Sequence, residues 1–528
     1  MKKSLIVSLM LALALLFTVA CNKEDKARLA DLQNQTAELE GTVADLPEMP
    51  ELSPQDLSIS LDNDCYWVDG AGSVTVHYTL SKPASLDVVA EDGWHAEVSP
   101  SGETEGDITV TAPDPASPTV LTVKTTDGKG NTAENFAQIF VRKQYGKVPN
   151  PRIDAMAYFG FTDELATDYH FQKLVEAGIT MLCVEGDWEP WQEWRNQCVL
   201  AEKYGIKVVL FIGGTAGSYS ADPDNYKGLD EKVLEAETYP AVCAYQIADE
   251  PSTAKAWSLS IARERIGELA PGHPTYINLH PSGVSQDALG ALTYEDYVEF
   301  FATICNLEFI TFDQYPVYEW GVEDNWFHSL DVVSSTAKRH NIPFWAFLLC
   351  CEEQLRAFPT LENIRLQGNI DIAYGAQCIQ YFVWKNTSGT DYAPVMSNGE
   401  YKPVYYDCKE YNREMHNREF VFAGSYVHKV RHIGLNYYLH GECLTDTDLP
   451  EAISEITADG SALVSFVGNA GNEYVVICNK SWEEKLPVTV NFTREVYTID
   501  REGEFAQHQP GTAGFTIDEG DMLVVKYR

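Results

Sequence analysis

Basic residues are scarce in this chain. Against 78 aspartates and glutamates stand 38 lysines and arginines, a formal net charge of −40 over 528 residues. No basic stripe interrupts that excess, which argues against binding along a nucleic-acid phosphate backbone. Metal signatures are missing too. There is no HExxH, no EF-hand loop and no paired spacing among the twelve cysteines, so neither a metal nor any other cofactor is expected. Several cysteines, including Cys183, Cys243, Cys350, Cys351 and Cys378, fall inside apolar strand-like runs where a free thiol behaves as a small hydrophobe. No disulfide framework is indicated. A lysine-led or glycine-rich phosphate cradle is also lacking, which disfavours a nucleotide site.

What is present begins at the amino terminus. Met1-Lys2-Lys3 followed by the apolar stretch Leu5 to Val19 is the pattern of a secretion signal rather than a membrane span. Thr18-Val19-Ala20 before Cys21 resembles the bacterial lipoprotein box, with Thr18 where leucine is usual. The resemblance implies that Cys21 is lipidated as the first mature residue and anchors the chain to the outer membrane; the alternative is a plain cleaved signal. Asn22-Lys23-Glu24-Asp25 resembles the acidic tag that sends Bacteroidetes lipoproteins to the cell surface.

Residues 21–55 read as a polar, acidic tether. From 56 to 145 short alternating runs such as Ser73-Val74-Thr75-Val76 and Asp107-Ile108-Thr109-Val110, split by Gly, Pro and Asp turns, predict a small β-sandwich. Gly93-Trp94 through Gly102 is similar to the immunoglobulin-like modules of surface glycosidases. Trp67 and Trp94 are expected in its core, with glycan binding as the alternative. Between 150 and 424 eight strand runs alternate with helical patterns: 155–159, 180–184, 207–212, 242–247, 275–279, 309–312, 344–349 and 378–383. That count and size predict a (β/α)₈ barrel. Residues 425–528 return to short strands and predict a second antiparallel sandwich.

In such a barrel the carboxyl ends of the strands share one mouth, so residues remote in sequence belong together. The mouth collects Tyr158, Glu185, Asp187 and Trp188, Asp249 and Glu250, Asn278 and His280, Asp313 and Tyr315, Glu352 and Glu353, and Trp384. Carboxylates among stacking rings describe a carbohydrate site. Glu250, at a strand end before Pro251, is the first candidate for a catalytic acid; the competing reading is that Asp249 or Glu250 merely caps the next helix.

Glycosidic cleavage needs one acid for the leaving oxygen and usually a second carboxylate. Across the barrel the chain resembles the retaining glycoside hydrolase clan whose acid/base glutamate ends strand four and whose nucleophile ends strand seven. The resemblance implies Glu250 as acid/base and Glu352 or Glu353 as nucleophile, Glu352 being preferred. Asp249 departs from that clan, which generally has asparagine there. The Asp249-Glu250 pair resembles instead the substrate-assisted hexosaminidases, which would make Asp249 the residue holding a 2-acetamido group, Tyr315 its hydrogen-bond partner and Trp384 a platform beneath the sugar. The expectation is a surface enzyme, endo-acting on β-linked polysaccharide or host glycan and serving glycan-uptake components. A non-catalytic glycan-binding lipoprotein is the rival from another class.

Overall fold

The computed structural model describes residues 57–62, 65–69, 72–90, 93–113, 119–142, 152–162, 164–187, 194–222, 227–386, 392–434 and 441–528. The expected signal, Cys21, the tether and Trp188 lie outside the described residues. The chain divides into two compact units, the first within residues 1–140 and the second holding nearly all of the remainder.

The first unit carries two four-stranded sheets. One has the order Ile59–Leu61, Ser73–Leu80, Glu105–Thr111, His95–Pro100, and the other Cys65–Asp69, Thr132–Arg142, Thr119–Thr126, Ser85–Ala90. Burial alternates residue by residue along Thr119–Thr126, the mark of a sheet with one face in the core and one in water. Trp94 is buried, which satisfies the packing role expected of it.

The second unit is built on a closed barrel of eight parallel strands: β1 (Asp154–Ala157), β2 (Met181–Glu185), β3 (Lys207–Phe211), β4 (Val242–Asp249), β5 (Thr275–Leu279), β6 (Ile310–Phe312), β7 (Phe344–Leu349) and β8 (Cys378–Phe382). Each falls on one of the eight runs read from the sequence. The runs are almost continuously apolar because both faces are covered, the inner by side chains filling the barrel and the outer by helices. The helices between and after them are α1 (Asp168–Glu176), α2 (Trp194–Tyr204), α3 (Gly213–Ala221), α4 (Lys227–Ala236), α5 (Ala256–Leu269), α6 (Tyr294–Ile304), α7 (Asn325–Arg339), α8 (Leu361–Tyr374) and α9 (Pro403–Asn417). Thr293 starts α6, its hydroxyl accepting the Asp296 amide at 3.1 Å.

After the barrel come a six-stranded sheet and a three-stranded sheet. The strand Ala462–Asn469 shows how they are used: Leu463 and Val467 join the main barrel core, while Ala462, Val464 and Phe466 join the core between the two sheets. One strand therefore serves two cores through its alternating faces. Its Ser465 hydroxyl donates to the Ala373 carbonyl of α8 at 2.6 Å, tying the terminal sheets to the barrel. Packed on both sides, α8 has its residues from Asn363 to Tyr374 all buried.

Candidate functional site

Alternation along the strands selects what faces the barrel axis. Met156 and Tyr158, Met181 and Cys183, Tyr276, Trp345 and Phe347 form an apolar plug inside it. The same parity carries β2 to Glu185, β5 to Asn278 and β8 to Phe382 at the open end. Above the plug a chain of hydrogen bonds crosses the barrel. Tyr276 donates to Gln380 Oε1 at 2.7 Å, Gln380 Nε2 to Thr311 Oγ1 at 2.8 Å, and Thr311 to Asn278 Oδ1 at 3.4 Å. Asn278 Nδ2 then donates to two carboxylates at once, Asp249 Oδ1 at 3.0 Å and Asp313 Oδ1 at 2.9 Å. One buried amide thus holds two acids from different strands side by side.

Crowding shifts their protonation. Burial raises the Asp249 carboxyl above its ordinary value and Glu250 adds to the effect, against the Asn278 hydrogen bond and His280, which lower it. Asp313 is raised well above the usual range by burial and by the charges of Glu250 and Asp249. Glu185 is pushed up to about 8, by burial first and then by Asp187 and Asp249. In all three the protonated form is favoured more than in a free carboxyl.

Glu250 is placed differently. It comes directly after the end of β4 with φ of 44°, a left-handed conformation that a side-chain-bearing residue adopts only under constraint. Its amide donates to the Asn278 carbonyl at 2.9 Å. Tyr297 of α6 holds the next residue, donating to the Pro251 carbonyl at 2.8 Å and accepting the His280 amide at 3.2 Å. The Glu250 carboxylate is 41% exposed and lies 3.2 Å from His280 Nδ1. Neither Asp249 nor Glu250 caps the next helix: Ser252 precedes the short helical turn Thr253–Lys255, and neither that turn nor α5 has a side-chain cap. The capping alternative is overturned, and neither carboxylate is taken up by the helix start.

Other expected site residues divide. Tyr158 is buried one layer down, where Gln246 Nε2 donates to its oxygen at 2.8 Å. Tyr315 stacks on Phe382 with ring centroids 5.1 Å apart at 28°. Asp187 has a structural task, accepting the Thr215 amide at 2.9 Å and its hydroxyl at 2.5 Å at the start of α3. Glu352 is exposed, its amide donating to the Tyr392 carbonyl at 2.8 Å. Glu353 is exposed as well; burial is what chiefly raises the Tyr315 hydroxyl and the Cys351 thiol, and the charge of Glu353 adds to both.

Trp384 requires a correction. It is 1% exposed, with Tyr381 at 5.6 Å and Tyr405 at 6.0 Å edge-on against it, so it packs in the outer core and offers no platform. The aromatic surface at the end of β8 is Phe382, joined by Phe159 from the end of β1. Counting in twos from Cys378 through Gln380 reaches Phe382, a signal present in the sequence that the prominence of tryptophan obscured.

No protein-family model and no curated protein matches the chain. Among solved structures it is similar to a Bacteroides ovatus GH5 xyloglucanase in complex with a XXXG heptasaccharide, at 10% identity over 67% of this chain and 98% of that one, TM-score 0.32. It is also similar to active domain 2 of a chitinase from Pyrococcus furiosus, at 10% identity over 52% of this chain and 97% of that one, TM-score 0.37. A third likeness is to an HpcH/HpaI aldolase from Desulfitobacterium hafniense, at 9% identity over 44% and 86%, TM-score 0.28. Likenesses this distant span unrelated chemistries and add nothing to the barrel already described.

Proposed function

We propose that the chain is a glycoside hydrolase acting on β-linked polysaccharide or host glycan, with Glu250 as the acid that protonates the leaving oxygen. The observation that carries this reading is Glu250 itself: an exposed carboxylate on a constrained turn at the strand-four end, set against His280 and beside the Asp249–Asn278–Asp313 bridge. An acid must reach the glycosidic oxygen, and a second group must stabilise or attack the anomeric carbon.

Substrate assistance suits this geometry best. Asp249 is adjacent to Glu250 and oriented by Asn278, so it can accept the N–H of a 2-acetamido group and turn that group's carbonyl oxygen onto the anomeric carbon. Glu250 gives its proton to the departing oxygen, and as base it then activates the water that opens the oxazolinium ion. The second reading is double displacement, with Glu352 or Glu353 after β7 as nucleophile. Lipidation at Cys21, exposure on the outer membrane, endo action and delivery to uptake components complete the proposal.

Product release from β-glucans, galactans, mannans and N-acetylated glycans tests it, with the product anomer followed by NMR. Loss of cleavage in Glu250→Gln is expected. Cleavage confined to N-acetylated substrates and lost in Asp249→Asn supports substrate assistance; loss in Glu353→Gln with Asp249→Asn active supports double displacement. Glycan binding without cleavage by the wild type would overturn the enzyme reading in favour of a binding protein.

A further inference from the structure

A groove of about 480 Å³ leads away from the mouth between the ends of β3 and β4 and the helices α3 and α5. Asp249 lines it and at the same time belongs to the acid bridge, so the groove is continuous with the site proposed for catalysis. Its volume lies within the range of about 300–1,000 Å³ typical of small-molecule sites.

The glycines of α3 show how the groove is kept open. The helix reads GGTAGSYSA, with three glycines in nine residues, although each glycine is about 1 kcal/mol less favourable than alanine inside a helix. Packing accounts for the first two: a Cβ on Gly213 would press on the Phe211 ring, and one on Gly214 would approach the Asp187 carboxylate that holds the helix start. Gly217 is different. A Cβ there would meet nothing within 4 Å. Neither packing nor a left-handed backbone requires glycine at that position, which lines the groove and leaves open space where a side chain would stand.

The walls specify what fits. Phe211 and Leu259 offer apolar surface, while Ser220, Ser258, Lys255 and Asp249 offer polar groups. Ser220 and Ser258 spend their hydrogens on the Ala216 and Lys255 carbonyls, each at 2.8 Å, which leaves their oxygens as acceptors. Lys255 has no ion pair among the described residues and supplies donors. Donors, acceptors and an apolar wall together match a pyranose, whose hydroxyls do both and whose C–H face is apolar. Asp249 lines the same groove, and with the chain's net charge of −40 it disfavours an anionic sugar.

Resting on the hydrolase reading, we infer that this groove is a subsite for one neutral sugar unit next to the scissile bond, and that it makes the enzyme favour longer or branched substrates.

The experiment compares wild type, Gly217→Ala and Gly217→Phe on a series of oligosaccharides of increasing length from the glycan the enzyme cleaves. Wild type is expected to gain at least about tenfold in kcat/KM when the unit that fills the groove is added, the equivalent of about 1.4 kcal/mol. Gly217→Phe should lose most of that gain and Gly217→Ala much less, with cooperative unfolding retained in both. Equal length dependence in wild type and Gly217→Phe would overturn the subsite and leave the hydrolase reading standing. If no substrate is cleaved, saturation-transfer NMR with the same neutral oligosaccharides decides. Binding by wild type that Gly217→Phe abolishes supports the subsite without the catalysis, whereas no binding by wild type, or preferential binding of uronic or sulfated oligosaccharides, overturns it.

Discussion

Replacing Glu185 by glutamine should stabilise the protein, by an amount that grows as the pH rises above 4.5. Glu185 is 5% exposed at the end of β2, with Asp187 and Asp249 nearby, and its carboxyl moves from the ordinary 4.5 to about 8. At 1.36 kcal/mol per unit, that difference is on the order of 5 kcal/mol between the protonated and ionised forms. Linkage gives the sign. The unfolded chain releases this proton near 4.5 and the folded chain near 8, so between those values the folded state binds more protons and stability falls as pH rises. The penalty is absent below 4.5 and complete above 8. Glutamine keeps the shape and cannot ionise. Urea denaturation at a series of pH values should therefore find the two proteins similar below pH 4.5, with the variant ahead by a few kcal/mol once the pH passes 8. Asp249 and Asp313, raised chiefly by burial as well, contribute a slope of their own to both proteins. A gap independent of pH, or one that closes as pH rises, would refute the reasoning.

Three further outcomes are expected. Asn278→Leu removes the amide between Asp249 and Asp313, leaving two acids that repel when ionised; the acid limb of the pH–rate profile should move upward, and an unmoved limb would deny the bridge a part in setting it. Trp384→Ala should cost about 3–5 kcal/mol in denaturant unfolding through the core it vacates, with KM for short substrates little changed; a large KM effect with small destabilisation would restore the platform role. Gly368→Ala on α8, where a Cβ would collide with the Tyr411 ring, should lower the melting temperature although alanine is the better helix former.

Much of the barrel was legible because each strand is a short apolar run ended by polar or turn residues, and burial on both faces makes such runs conspicuous. The segment from 213 to 236 was harder to read. It forms α3 and α4, yet three glycines conceal the helical period in the first, and α3 is held at its start by Asp187, a residue 26 positions before Gly213 that no local pattern connects to it. Glu250 was found from its place before Pro251, while the role of Asn278 depended on which neighbours its amide reaches.

Local periodicity and composition were enough to establish the order of the elements, the count of eight parallel strands and the acidic, aromatic character of their carboxyl ends. Which residues meet was settled by folding in three dimensions. The closed barrel joined Asp249 and Asp313 through one side-chain amide, and turned Phe382 inward and Trp384 outward. Each of those outcomes depends on strand parity continued past the last ladder bond and on side chains contributed by elements far apart along the chain, distances that no local pattern encodes.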